Sequence, residues 1–360
     1  MKRITIALAS LGFCAATFAA LPAASSPSEI IVPQLPGGFT VGGTLLYLQP
    51  SINNGDLDYA SNSQIIFGSP GFATSQIERV EPGYGFGWGA NVGYEFAQTG
   101  NDINLSYQHL KNTSEDSAYS TQNFLAPTHI IFVPMQFNPE FQFASAKANV
   151  EWNRVDLTAG QMINIGSRLN VHPSAGVSYV DIKRTLNSSF YKIAPQLAQP
   201  TTSNAIQTNS DHSHYWGVGP IAGLDASFYL GEGLGLVTHL QGGVLAGDIT
   251  DNTNANFQIT NSTFIPASLQ FNTGTNFRLV PTYTAKAGAD FTYHFDNSFA
   301  SYLTAEAGYQ VNEYFNAVDS TTATFANSSI ANTVIATGVA SRTSANLFLD
   351  GPYANITLHM

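Results

Sequence analysis

The amino-acid sequence predicts an all-β chain: a transmembrane antiparallel β-barrel of about ten strands (ten to twelve), with long extracellular loops and short periplasmic turns. Three observations carry that prediction. The first is composition, since 44% of the residues are hydrophobic and only 10% are charged, where an ordinary globular domain has roughly 25% charged residues. A water-facing surface of normal charge density cannot be built from this chain, and its 24 Phe, 16 Tyr and 3 Trp exclude a disordered one. The second is that past the first 20 residues no apolar stretch reaches the roughly 18 residues of a spanning helix. The third is hydrophobic alternation at period two in long runs, joined by connectors that are short and long by turns.

Residues 1–19 read as a signal peptide, with Lys2 and Arg3 as a positive start, 4–13 as a short apolar core and Thr17-Phe18-Ala19 as the cleavage site, Ala20 or a site near Ala23 being the alternatives. Residues 20–360 form the barrel. Cys14 follows Phe13, which is not the small residue a lipoprotein signal carries there. Cleavage removes the only cysteine, so the mature chain has no disulfide or thiol chemistry, and it makes the formal charge of −11 more negative by removing Lys2 and Arg3. Such an acidic chain offers no basic patch for nucleic acid.

The strand runs are 39–49, 83–96, 101–110, 143–163, 168–182, 214–230, 234–248, 277–295, 299–311 and 342–360. In 83–96 every even residue is apolar or aromatic, from Tyr84 through Trp88 to Phe96, and every odd one is glycine or polar. In 277–295 the same alternation holds with the single exception of Val280. A soluble sandwich also alternates, but these runs exceed the usual five or six residues. Short turns fall at 97–100, 164–167, 231–233 and 296–298, and long connectors at 50–82, 111–142, 183–213, 249–276 and 312–341. Outer-membrane barrels place the short turns in the periplasm and the long loops outside. Tyr94, Phe96, Phe228, Tyr293, Phe295 and Phe299 flank the short turns in the outward phase, as an interfacial girdle does. An open sheet would leave unpaired backbone groups in hydrocarbon, so the first and last strands must pair. Pro220 and Pro281 fall near the loop ends of their strands, whereas the pattern offers no reason for Pro173. A phase slip between Trp152 and Val155 reads as a β-bulge, and the apolar segments 65–68 and 130–137 are candidates for extra strands.

The residues resemble the Legionella-type major outer membrane protein family. The likeness lies in Gly37-Gly38-Phe39, in Leu45-Leu46-Tyr47-Leu48-Gln49-Pro50, and in the opening of the second strand from Pro82-Gly83-Tyr84 to Trp88-Gly89. It continues in Gly100-Asn101-Asp102 and Asp350-Gly351-Pro352-Tyr353. It implies an outer-membrane protein exposed on the cell surface of a Gram-negative bacterium and porin-like in the family's best-studied members. The chain departs from many such barrels by ending on Met360 rather than an aromatic residue.

Three apparent motifs have plain structural readings. Gly83, Gly85, Gly87 and Gly89 are spaced by two with apolar residues between, which suits lumen-facing glycines and not a phosphate loop. Asp211-His212-Ser213-His214 collects catalytic and His-x-His metal-ligating residue types, but neighbours in sequence are not a triad in space. The Asn-x-Ser/Thr sequences at Asn112, Asn187, Asn261 and Asn327 are what Asn- and Ser-rich composition produces by chance.

The functional lead is the charge on the inward phase: Glu95, Lys147, Glu151, Asp225, Arg278, Lys286, Asp290 and Glu306 are read as lumen-lining. Lining a water-filled passage, they make the protein a porin-like channel for small hydrophilic solutes. Neutralising one another in a narrow interior, they leave a closed, surface-exposed structural or adhesive barrel whose loops carry the function. No enzymatic activity, cofactor or metal is expected. The expected partners are outer-membrane lipid, the barrel-assembly machinery, small solutes, and host surface ligands reached through the loops.

Overall fold

A computed structural model describes residues 30–33, 35, 37–65, 73–120, 124–134, 141–192, 205–259, 267–295, 301–330 and 333–360. Ten long antiparallel strands make a closed ring: β1 (Gly38–Ile52), β2 (Gly85–Glu95), β3 (Asn101–Tyr119), β4 (Phe143–Gln161), β5 (Leu169–Lys192), β6 (Ala205–Gly231), β7 (Leu234–Ile259), β8 (Asn276–His294), β9 (Tyr302–Ile330) and β10 (Thr333–His359). Each pairs with its neighbour in the chain, and β10 closes on β1 from Leu347 opposite Ile52 to His359 opposite Thr40. At that seam the Met360 N–H donates to the Phe39 carbonyl at 2.9 Å. Gly38 (φ 142°) lies against the Met360 carbonyl where no side chain fits. Each predicted run is one ring strand. The signal peptide and the turn 296–298 lie outside the described residues.

Among the described residues neither of the two candidate extra strands joins the ring, and 66–68 and 135–137 lie outside the described residues. Ile130–Pro134 is a strand, but it runs parallel to β9 beside Ala323–Asn327, and Ile65 ends Asp58–Ile65, the middle strand of a small sheet with Ala73–Arg79 and Phe124–Pro127. Most of the Asn-, Ser- and Thr-rich connectors are themselves sheet: β5 and β6 stay paired up to Lys192 opposite Ala205, and β9 and β10 up to Ile330 opposite Thr333. The barrel therefore carries a folded superstructure above its membrane belt.

Along β1, β4 and β5 the apolar face changes sides. On β5 the outward residues run Pro173, Ala175, Val177 and Tyr179, then Asp181 and Lys183, while the inward ones become Val180 and Ile182, which are fully buried. The outward apolar stretch faces lipid, and the inward one above it forms a core. This switch accounts for β4, where the ladders to β3 and β5 run through Trp152–Val155 without a shift in register. There is no bulge there. Trp152 closes the inner core and Val155 opens the lipid face, an odd distance apart as strict alternation demands. Irregularities in register occur instead at Tyr229–Gly231 and Tyr314–Val318.

The prolines fall where a ladder is interrupted on one side. Pro173 sits between the β4 ladder, which starts at Ser174, and the pairing of Ile163–Ile165 with Leu169–Val171. Pro220 lies in the gap of the β6–β7 ladder between Val218 and Ile221, and Pro281 is the first residue past the end of the β8–β9 ladder at Thr282. The missing N–H costs least at such positions. Leu105→Arg on the lipid face of β3 should destabilise the barrel by about 2–4 kcal/mol. Ser117→Arg on the same face above the belt should be near neutral, both read from urea unfolding in lipid vesicles.

Candidate functional site

The interior of the ring is the candidate site, and it has three storeys. The middle one is apolar. Leu48, Leu110, Trp152, Ile182 and Tyr215 from β1 and β3–β6 meet Leu245, Val280, Tyr314 and Leu349 from β7–β10 in one continuous cluster, each 0–1% exposed. Strand β2 adds no bulk here, because a Cβ on Gly87 would press on the His109 carbonyl and lie 3.3 Å from the Leu110 side chain. Val280, the exception in the alternation of its strand, is one of these core residues. Strands β4 and β9 lie five places apart around the ring of ten, hence on opposite walls. Even so, the Trp152 indole N–H donates to the Tyr314 hydroxyl at 2.9 Å. The side chains of facing walls thus meet in mid-barrel.

Below this layer the interior is polar and ion-paired. Arg154 on β4 contacts Asp156 at 2.8–2.9 Å, donates to Thr284 on β8 at 2.7 Å and reaches Gln241 on β7. A second chain runs from strand to strand. Asp102 on β3 faces His172 on β5 at 2.7 Å, and His172 lies 3.3 Å from Asp225 on β6. His239 on β7 is 2.9 Å from both Asp225 and Glu306 of β9, and the Tyr353 hydroxyl of β10 donates to Glu306. Lys286 lies 5.2 Å from the centre of the Tyr353 ring. Glu95 on β2 accepts from His359 at 3.0 Å and Tyr302 at 3.4 Å.

Six of the eight predicted lumen residues therefore lie on the inner face: Glu95, Asp225, Arg278, Lys286, Asp290 and Glu306. Lys147 and Glu151 do not. They lie on the outer face of β4 above the belt, where Lys147 pairs with Glu115 of β3 at 2.7 Å in solvent. The inferred bulge had inverted the phase of that part of β4. Carrying the outward phase of Val155, Leu157 and Ala159 back unbroken puts Arg154 and Asp156 inside, two charges the sequence reading missed. His172 and His239 escaped notice because only permanently charged side chains were counted, though both sit in the inward phase.

Above the apolar layer a third group closes the outer mouth. The fully buried Arg184 of β5 pairs with Asp56 at 2.5 Å and with Asp211 of β6 at 2.6 Å, and donates to the Asp319 carbonyl of β9 at 2.7 Å. Asp319 itself pairs with Arg278 of β8 at 2.6 Å and with Arg342 of β10. The Asp211-His212-Ser213-His214 motif is split by the pleat. Asp211 and Ser213 point inward, while His212 and His214 point outward to Thr185 at 2.9 Å and Asp181 at 2.8 Å.

The family model described as the Legionella pneumophila major outer membrane protein precursor matches residues 31–360. The chain belongs to that family. It is accordingly a β-barrel of the Gram-negative outer membrane, with its long hairpins on the cell-surface side. The OmpT protease of Escherichia coli is similar at 9% identity, 91% coverage of this chain and 98% of that one, with a TM-score of 0.42. The toluene transporter TodX of P. putida is similar at 8% identity, 90% coverage of each chain and a TM-score of 0.24. No curated protein matches.

If the polar storey fastens the wall, Arg154→Met leaves Asp156 buried without its cation and costs about 3–5 kcal/mol. The temperature at which the folded band disappears on a detergent gel should fall clearly, while Lys147→Met leaves it unchanged.

Proposed function

We propose that the protein is a closed outer-membrane barrel whose membrane part holds a folded extracellular superstructure at the cell surface, where binding takes place. The contact of Trp152 with Tyr314 from opposite walls carries this reading. A water-filled passage would leave inward side chains accessible at every level, yet the layer from Leu48 to Leu349 is dry. Four of the inward charges that favour a porin-like channel for small hydrophilic solutes are held by partners on other strands, Asp225 and Glu306 by His239, Glu95 by His359 and Arg278 by Asp319, which makes them fasteners of the wall. Ten strands also enclose little more than the eight whose interior side chains fill. The pleat that separates Ser213 from His212 and His214 supports a non-catalytic role for the motif, since neither histidine shares a face with that hydroxyl. Ligands of host or neighbouring-cell surfaces would meet the hairpins first.

Conductance of the refolded protein in a planar bilayer tests the reading. We expect no stable steps from the unaltered chain. Regular steps from the unaltered protein would establish the channel and overturn the closed-barrel reading.

A further inference from the structure

The hairpin of β9 and β10 leaves the wall and crosses the outer mouth. Strand β9 pairs with β8 only as far as Tyr314, and the irregularity between Tyr314 and Val318 follows at once, with Asn316 in a left-handed conformation (φ 55°). Beyond this hinge β9 bonds across the mouth to strands two and three places away around the ring. The Asp319 N–H donates to the Ser213 hydroxyl of β6 at 3.0 Å, the Thr321 hydroxyl to a side-chain oxygen of Asp251 on β7 at 2.6 Å, and the Ala323 N–H to the His129 carbonyl at 2.7 Å. We propose that this hairpin is a lid held shut by the charge balance around Arg184, and that it opens when the buried carboxyl group of Asp251 gives up its proton. The lid lies above the apolar layer, so its opening exposes the mouth without making a pore. The inference thus stands apart from the closed-barrel reading.

The charges facing this point come from every element around it: Asp56 and His129 from the connecting segments, Arg184 from β5, Asp211 from β6, Asp251 from β7, and Asp319 from β9, which is held by Arg278 and Arg342. Arg184 forms ion pairs with Asp56 and Asp211, while Asp251 has none and one of its oxygens is buried without a partner. Three carboxylates around one buried guanidinium would place like charges together in a dry site. Burial, and then the neighbouring Asp211 charge, push the Asp251 carboxyl up to about 8. Burial pushes Asp56 up to about 6 against the pull of Arg184. Burial also acts to raise Asp211, but Arg184 and the group's other neighbours together hold it below the usual range. Burial lowers His129, which therefore supplies no compensating charge at neutral pH.

The sign follows. A carboxyl group whose closed-state value is raised favours closure at low pH and loses that contribution as pH rises toward the closed-state value. One proton retained only in the closed form shifts the open-to-closed ratio about tenfold per pH unit. The reporter is Ala323→Cys, on the lid and 4% exposed, with the exposed Ser117→Cys as reference to cancel the pH dependence of the thiol itself. On refolded protein in lipid vesicles, the ratio of their labelling rates by an impermeant maleimide should rise about tenfold per unit from pH 6 to 8 and level off above. Asp251→Asn, which keeps the shape of the neutral acid, should flatten that rise, and Arg184→Gln should give high labelling already at pH 6. A pH-independent ratio in the unaltered latch, or the same slope in Asp251→Asn, would overturn the proposal even if Arg184→Gln fails to fold.

Discussion

Hydrocarbon offers no partner to a backbone N–H or C=O, and the architecture follows from that constraint. It closes the sheet through the pairing of β10 with β1, and it confines Pro173, Pro220 and Pro281 to places where a ladder is already interrupted. A ring of only ten strands leaves a narrow interior, so large inward side chains from facing walls touch. Trp152 and Tyr314 are the plainest case, bonded to each other from strands half the ring apart.

The second organising feature is the transfer of the apolar face from outside to inside at the upper edge of the belt. Below it, outward residues such as Val177 and Tyr179 face lipid; above it, inward residues such as Ile182 and Leu186 are buried and the outward ones are polar. One strand thus satisfies two solvents in succession without breaking its alternation. The superstructure inherits a core continuous with the barrel interior, which explains how segments rich in Asn, Ser and Thr hold long hairpins upright.

The same transfer marks the limit of what was legible in the sequence. The ring strands, their order and the alternation of turns could be read, because lipid-facing residues repeat at period two over many positions. The upper hairpins could not, because their dry face includes many small and polar residues such as Ser188, Gln207, Asn209, Thr253 and Ala255. A search for outward apolar residues passes over them. On β4 the transfer looked like a bulge and carried Lys147 and Glu151 to the wrong face. The partners of the inner charges were beyond reach for another reason. The chain His172, Asp225, His239 and Glu306 depends on ring closure and register, and alternation within a single strand does not encode either.

The account rests on a dry layer in mid-barrel, and Trp152 reports on it directly. Trp88 and Trp216 face outward and can be replaced by phenylalanine, which leaves Trp152 as the one indole. Fluorescence quenching by a water-soluble agent, applied to either side of oriented vesicles, then measures access of solvent to the layer. The account predicts that iodide and acrylamide leave the emission of Trp152 nearly unquenched from both sides. Quenching approaching that of tryptophan in water, from either side, would contradict it.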